Sequence, residues 1–141
     1  MGIHNANKVL LGSTRSSCKD VGNRNGSIAA GTAVRLKSDG TLSLTKADGL
    51  LLGVSLGRDL SAIGRTAIAY KGVQVPILLT ASYTPTLGAV VYIDDATGKA
   101  ATSSASATAV NAVFTGLLTD GAIDEDGGSV RAALIDFPGG L

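Results

Sequence analysis

A chain of 141 residues holds 12 Lys/Arg against 11 Asp/Glu, with 19 glycines, three prolines, one cysteine, two Phe, three Tyr and no Trp. The length suits one compact domain and is short for two, and a single cysteine excludes an internal disulfide framework and a structural metal site built from cysteines. The net charge of +1 conceals a division, because residues 1–82 carry ten basic and four acidic residues (net +6) while 83–141 carry two and seven (net −5). That asymmetry suits contact between complementary surfaces or a basic arm seeking an acidic partner, unless the two halves interleave in the fold and the charges mix.

Residues 1–26 read as an extended N-terminal arm, rich in Asn, Ser and Gly, with Lys8, Arg15, Lys19 and Arg24 and one apolar cluster, Val9-Leu10-Leu11. Ordering such a segment costs roughly 1–2 kcal/mol per residue in backbone entropy, so a neighbouring surface has to supply the compensating contacts. The opening Met-Gly-Ile-His-Asn-Ala-Asn-Lys lacks the charged-then-apolar build of a secretion signal, Ala6 stands where a myristoylation motif wants Ser or Thr, and no apolar run approaches the ~20 residues that cross a bilayer. A protein made in the cytoplasm, without a membrane partner, is the expectation.

From residue 27 to 141 the pattern is that of a β core. Val34-Arg35-Leu36-Lys37 and Thr41-Leu42-Ser43-Leu44 flank Ser38-Asp39-Gly40, which predicts a hairpin with a two-residue Asp-Gly turn and Val34, Leu36, Leu42 and Leu44 on one buried face. Leu50 to Leu56 reads as a strand bent at Gly53, and Thr66 to Tyr70 as the next. Val73, Val75, Ile77 and Leu79 then recur at period two, with Pro76 placing that strand at a sheet edge or a bulge. Leu87 to Ile93 is a further strand, closed by the turn Asp94-Asp95-Ala96-Thr97-Gly98-Lys99. The Ala/Ser/Thr stretch Ala100 to Ala112 fits a strand, a loop or a brief helix. Val113 to Leu118 resumes a strand, Asp120 to Gly128 reads as an acidic loop, and Ser129 to Phe137 ends the fold before Pro138-Gly139-Gly140. Seven to nine short strands punctuated by glycine predict an all-β fold, a small glycine-rich β-barrel or sandwich.

The residues that could carry chemistry are few. His4 is the sole histidine and lies in the arm, so no Ser-His-Asp or Cys-His constellation can form around a packed base, and no catalytic residue is assigned. Cys18 sits beside Lys19 without a fixed base and reads as a bystander thiol or one packed against a partner. Asp94-Asp95 and Asp124-Glu125-Asp126 could offer oxygen ligands to a hard cation, yet neither has calcium-loop spacing, and solvated turns are the simpler reading. No Gly-x-x-x-x-Gly-Lys-Ser/Thr or Gly-x-Gly-x-x-Gly unit is present, so no nucleotide cofactor is expected. The basic residues are scattered and not interleaved with aromatics, which argues against nucleic acid.

Several fragments, in this order, resemble the capsid decoration (cement) proteins of tailed bacteriophages: Ala29-Ala30-Gly31-Thr32-Ala33-Val34, Leu52-Gly53-Val54-Ser55, Gly72-Val73-Gln74-Val75-Pro76, Leu87-Gly88-Ala89-Val90-Val91-Tyr92-Ile93-Asp94, Val113-Phe114-Thr115-Gly116-Leu117-Leu118 and Val130-Arg131-Ala132-Ala133-Leu134-Ile135. Their order and spacing over residues 28–137 carry the resemblance; the arm matches no specific motif. The resemblance implies a non-enzymatic virion protein on the capsid exterior. It would bind the major capsid protein and copies of itself, as a homotrimer or a dimer, and bridge neighbouring capsomers. Val9, Leu10 and Leu11 would then anchor the arm, while Lys8, Arg15, Lys19 and Arg24 meet acidic capsid surface. A tail or baseplate adaptor, or a host-surface carbohydrate-binding module on the same core, is the alternative; a hydrolase working through Asp94, Asp95, Asp124 or Asp126 is a third.

Overall fold

The computed structural model describes residues 19–22, 28–57, 65–123 and 129–141. Among them the backbone forms ten strands and one 3-10 turn: β1 (Lys19–Gly22), β2 (Ala33–Leu36), β3 (Leu42–Ser43), the turn Lys46–Asp48, β4 (Leu50–Gly57), β5 (Arg65–Ala69), β6 (Gly72–Leu78), β7 (Val90–Asp94), β8 (Ala100–Ala101), β9 (Ala107–Ile123) and β10 (Ser129–Phe137). They make two five-stranded antiparallel sheets, ordered β1-β5-β4-β2-β3 and β6-β10-β9-β7-β8. The chain is all-β as expected, and of the two architectures foreseen the sandwich is the one adopted. A single parallel bridge, Leu79 to Ala100, draws the outer strands of the second sheet together.

The core lies between the sheets. Ala33, Val54, Leu56, Ala67 and Ala69 from the first pack with Val75, Ile77, Val91, Ile93, Phe114, Ile135 and Phe137 from the second. This is the period-two face of each strand removed from water, at roughly 25 cal/mol per Å² of apolar area. The first sheet is also buried on its other face, where Ile28, Val34, Leu42 and Ile68 form a separate cluster with Leu44 and Leu52 against it. The expected sharing of a face by Val34, Leu42 and Leu44 therefore holds, with Leu36 only half-buried.

The hairpin between β2 and β3 differs in its turn. Gly40 N–H donates to the Lys37 carbonyl (3.0 Å) and Lys37 N–H to the Thr41 carbonyl (2.8 Å), which makes a three-residue loop, Ser38-Asp39-Gly40. Only Gly40 takes a positive φ, +84°. Asp39 instead turns its Oδ1 to accept the Thr41 N–H (3.0 Å) and hydroxyl (2.6 Å), a local cap that favours the longer loop.

Gly53 is needed in β4 for a steric reason, since a Cβ there would overlap the Ala69 carbonyl oxygen of the neighbouring strand, and the register of β4 on β2 shifts beside it, between Gly53 and Leu51. In β6, an edge strand as one of the two positions Pro76 allowed, Val75 and Ile77 are buried, as is Leu79 just beyond it, but Val73 is only partly so. The cause is Gln74, whose φ of +55° breaks the alternation.

Ala100 to Ala112 resolves into β8, a loop and the start of β9. The expected acidic loop starts later than Asp120, because β9 continues to Ile123; residues 124–128 lie outside the described residues. β9 is 17 residues long, yet β7 flanks it only from Ala107 to Val113, and β6 flanks β10 only from Ala132 onward. The outer end of the β9–β10 hairpin, with Val130 opposite Ala122 and Ser129 opposite Ile123, thus has no third strand beside it among the described residues.

Candidate interaction surfaces

Of the arm residues assigned to partner binding, Lys8, Val9, Leu10, Leu11, Arg15 and Arg24 lie outside the described residues. Lys19 is the first residue of β1, in register with Ile68 of β5, and β1 is the outermost strand of the first sheet. The end of the expected arm is therefore stitched to the core by a four-residue ladder.

One end of the sandwich is locked by polar ties between the sheets. Arg35 of β2 is 7% exposed; burial pulls its guanidinium below the usual arginine pKa, and the charge of Asp95, in the turn after β7, partly offsets that. Asp95 Oδ1 accepts the Thr108 hydroxyl (2.7 Å), and the Asp95 carbonyl accepts the Lys46 N–H (2.8 Å). Asp94 holds the same turn through Oδ1, which accepts the N–H groups of Ala96 and Thr97 (2.9 Å each) and the Thr97 hydroxyl (3.1 Å). Burial acts to raise the Asp94 pKa, but these three bonds to the carboxylate outweigh it and hold the group below its ordinary value. Ala33 N–H then donates to the Gly98 carbonyl at 2.7 Å, joining β2 to the far side of the turn.

The acidic pair Asp94-Asp95, a possible cation site by sequence, is thus occupied with building a turn and joining two sheets. No group of three or more His, Cys, Asp or Glu side chains capable of holding a metal lies among the described residues. Asp124-Glu125-Asp126 fall outside them. The hollow beside this turn, about 470 Å³ and lined by Thr45, Lys46, Ala47 and Asp95, is shallow and holds one cation and one carboxylate already committed elsewhere. A second groove of about 260 Å³ lies between Leu78, Leu79, Ala81, Lys99, Val130 and Arg131. There the Arg131 guanidinium is turned to the Thr84 hydroxyl at 2.8 Å.

No family model matches the chain, and no curated protein or solved structure matches it either.

The surface that sequence reasoning missed is the outer face of the second sheet. Parity along each strand fixes it: with Val75, Ile77, Val91, Ala112, Phe114, Ala133 and Ile135 inward, the outward positions form cross-strand rows. Leu78, Ala132 and Leu118 make one row, Pro76, Leu134 and Gly116 the next, and Asp136, Val113 and Val90 the third. Leu134 lies over Gly116, filling the space a side chain would take. The signal was present in the sequence as unbroken apolar runs, Pro76-Ile77-Leu78-Leu79 and Ala89-Val90-Val91, where a sheet with one wet face should alternate.

Proposed function

We propose that this chain is a non-enzymatic structural protein of a phage particle, which binds the outer surface of the assembled capsid and stabilises it by bridging neighbouring capsomers. The observation that supports the reading best is β1. The basic N-terminal segment enters the fold as the outermost strand of a sheet, paired from Lys19 with Ile68 to Gly22 with Arg65. A bridging protein has to transmit load from its attachment to its body, and a ladder of backbone hydrogen bonds pulled along the strand resists detachment collectively, as a loose linker cannot. The clusters of polar side chains described above tie strands and turns to one another, which fits a body made for rigidity. Many weak attachments of this kind, repeated over a capsid lattice, give strong retention without any single tight contact.

The test is co-sedimentation with shells assembled from the major capsid protein of the same virus. Full-length chain is expected in the pellet and to raise the temperature at which the shells rupture. A chain lacking residues 1–18, which keeps β1, is expected in the supernatant with its β-sheet circular dichroism intact. Equal binding by the shortened chain would remove the arm from the mechanism, and failure of the full chain to bind shells would remove the capsid reading itself.

A further inference from the structure

We propose that the groove between Leu78, Leu79, Lys99, Val130 and Arg131 is a docking slot for an extended acidic peptide segment of a partner protein, which adds a strand to β10. The path of the chain opens the slot. Leu79 N–H donates to the Arg131 carbonyl at 3.0 Å, but one residue later Thr80 N–H donates to the Ala100 carbonyl at 2.9 Å. The chain thus leaves β10 for β8, and β10 extends back to Ser129 with no strand on that side among the described residues. A bare strand edge beside a cleft is a template for a further strand: main-chain hydrogen bonds give the affinity, and alternate side chains enter the adjoining hollow.

The chemistry of the hollow selects what that strand carries. Arg131 continues the inward row of Ala133 and Ile135, but at the rim, where the sandwich opens. One terminal nitrogen of its guanidinium donates to the Thr84 hydroxyl at 2.8 Å and the other, more loosely, to the Thr80 carbonyl at 3.5 Å. Each nitrogen keeps a second N–H, so the fork is held in place and still has donors for a carboxylate. Lys99 brings a second positive charge to the same hollow, and no Asp or Glu lines it. Among the described residues neither cation is paired with a carboxylate. Leu78, Leu79 and Val130 make the apolar part of the wall. A segment that turns a carboxylate to the cations and an apolar side chain to that wall meets both demands, and the complementary charge sets it apart from other strands.

Size and lining disfavour other anion carriers. About 260 Å³ falls below the ~300–1,000 Å³ of pockets that enclose a small-molecule ligand. No aromatic side chain lines the groove, so a nucleic-acid strand would find no base to stack on and only two cations for its phosphates.

The proposal goes beyond the capsid reading and does not need it, because it is tested on the isolated full-length chain. A short labelled peptide alternating glutamate and valine is expected to give saturable fluorescence anisotropy by about 1 mM. Arg131→Met and Lys99→Met should each weaken that binding by about 10-fold or more, the loss of a charge-assisted contact. Lys46→Met, which removes a cation from the other hollow, should leave it unchanged, and a lysine–valine peptide of the same length should not bind. Should Arg131→Met fold poorly, Lys99→Met and hydrogen exchange of the wild-type chain decide: the glutamate peptide should protect the amides of residues 129–134. No binding at 1 mM, equal binding of the lysine peptide, indifference to Lys99→Met, protection that leaves 129–134 untouched, or tighter binding of oligothymidylate than of the glutamate peptide would each overturn the proposal.

Discussion

The backbone N–H of Gln74 donates to Asp136 Oδ1 at 2.8 Å, joining residues 62 positions apart while Gln74 itself is held at a φ of +55°. The carboxylate accepts the N–H that the irregular strand exposes, and through Thr115 it also reaches β9. Removing it leaves that N–H without its charged acceptor, so Asp136→Ala is expected to cost about 1–3 kcal/mol in urea unfolding. Gln74→Gly should stay within about 0.5 kcal/mol of wild type, since relief of the left-handed conformation offsets the added chain entropy. A large loss from Gln74→Gly would show that its side chain, not its backbone, does the holding.

Two glycines separate two kinds of cost. Gly40 has positive φ with open space around it, so Gly40→Ala should cost about 1 kcal/mol, the penalty of an L-residue in that region. Gly53→Ala would drive a methyl group into the Ala69 carbonyl and force β4 from β5, with an expected cost of about 2–4 kcal/mol. Thermal melts of the pair check the order, and equal costs would contradict the close approach of the two strands.

The Asp94 turn supplies a pH dependence. Its pKa is lower folded than unfolded, so the stabilisation is complete above the unfolded carboxylate value of about 3.9 and is lost as pH falls through the folded one. Wild-type melting temperature is expected to fall on acidification below about pH 4 more steeply than that of Asp94→Asn, which no longer ionises. Parallel acid limbs for the two proteins would contradict the assignment.

Arg35 makes the opposite case. Burial lowers its pKa despite Asp95, so the folded state holds the charged guanidinium less well than water does. Asp95 keeps the Thr108 hydroxyl without it. Replacing both partners, Arg35→Met with Asp95→Asn, which preserves the covered stem and the Thr108 acceptor and leaves no unpaired charge, is therefore expected to leave the melting temperature unchanged or raise it. A fall of several degrees would show that the Arg35–Asp95 attraction is a net stabilising tie.

Much of the strand content was legible because glycine punctuation and period-two alternation are local. Val75, Ile77 and Leu79 face inward as their spacing implied, and Pro76 put β6 at an edge because a residue without an N–H cannot sit between two strands. The two-residue turn at Asp39-Gly40 failed because Asp39 captures the Thr41 N–H and hydroxyl, a competition between side chain and turn geometry that the Asp-Gly pair alone does not disclose. Val73 failed because a break at Gln74 is imposed from Asp136, far away in sequence.

By itself, then, the sequence determined an all-β chain, since its glycines cut every apolar run below helix length and its alternation sets which side chains can share a face. Which strands pair was decided only in three dimensions. β6 finds β10 across fifty intervening residues, β1 finds β5, and the paired apolar positions Val90 and Val113 end on the outside instead of within. Local pattern specifies two faces for each strand, but which of them meets the shared core belongs to the packing of one sheet on the other, and the first sheet covers its second face as well with the cluster of Ile28, Val34, Leu42 and Ile68.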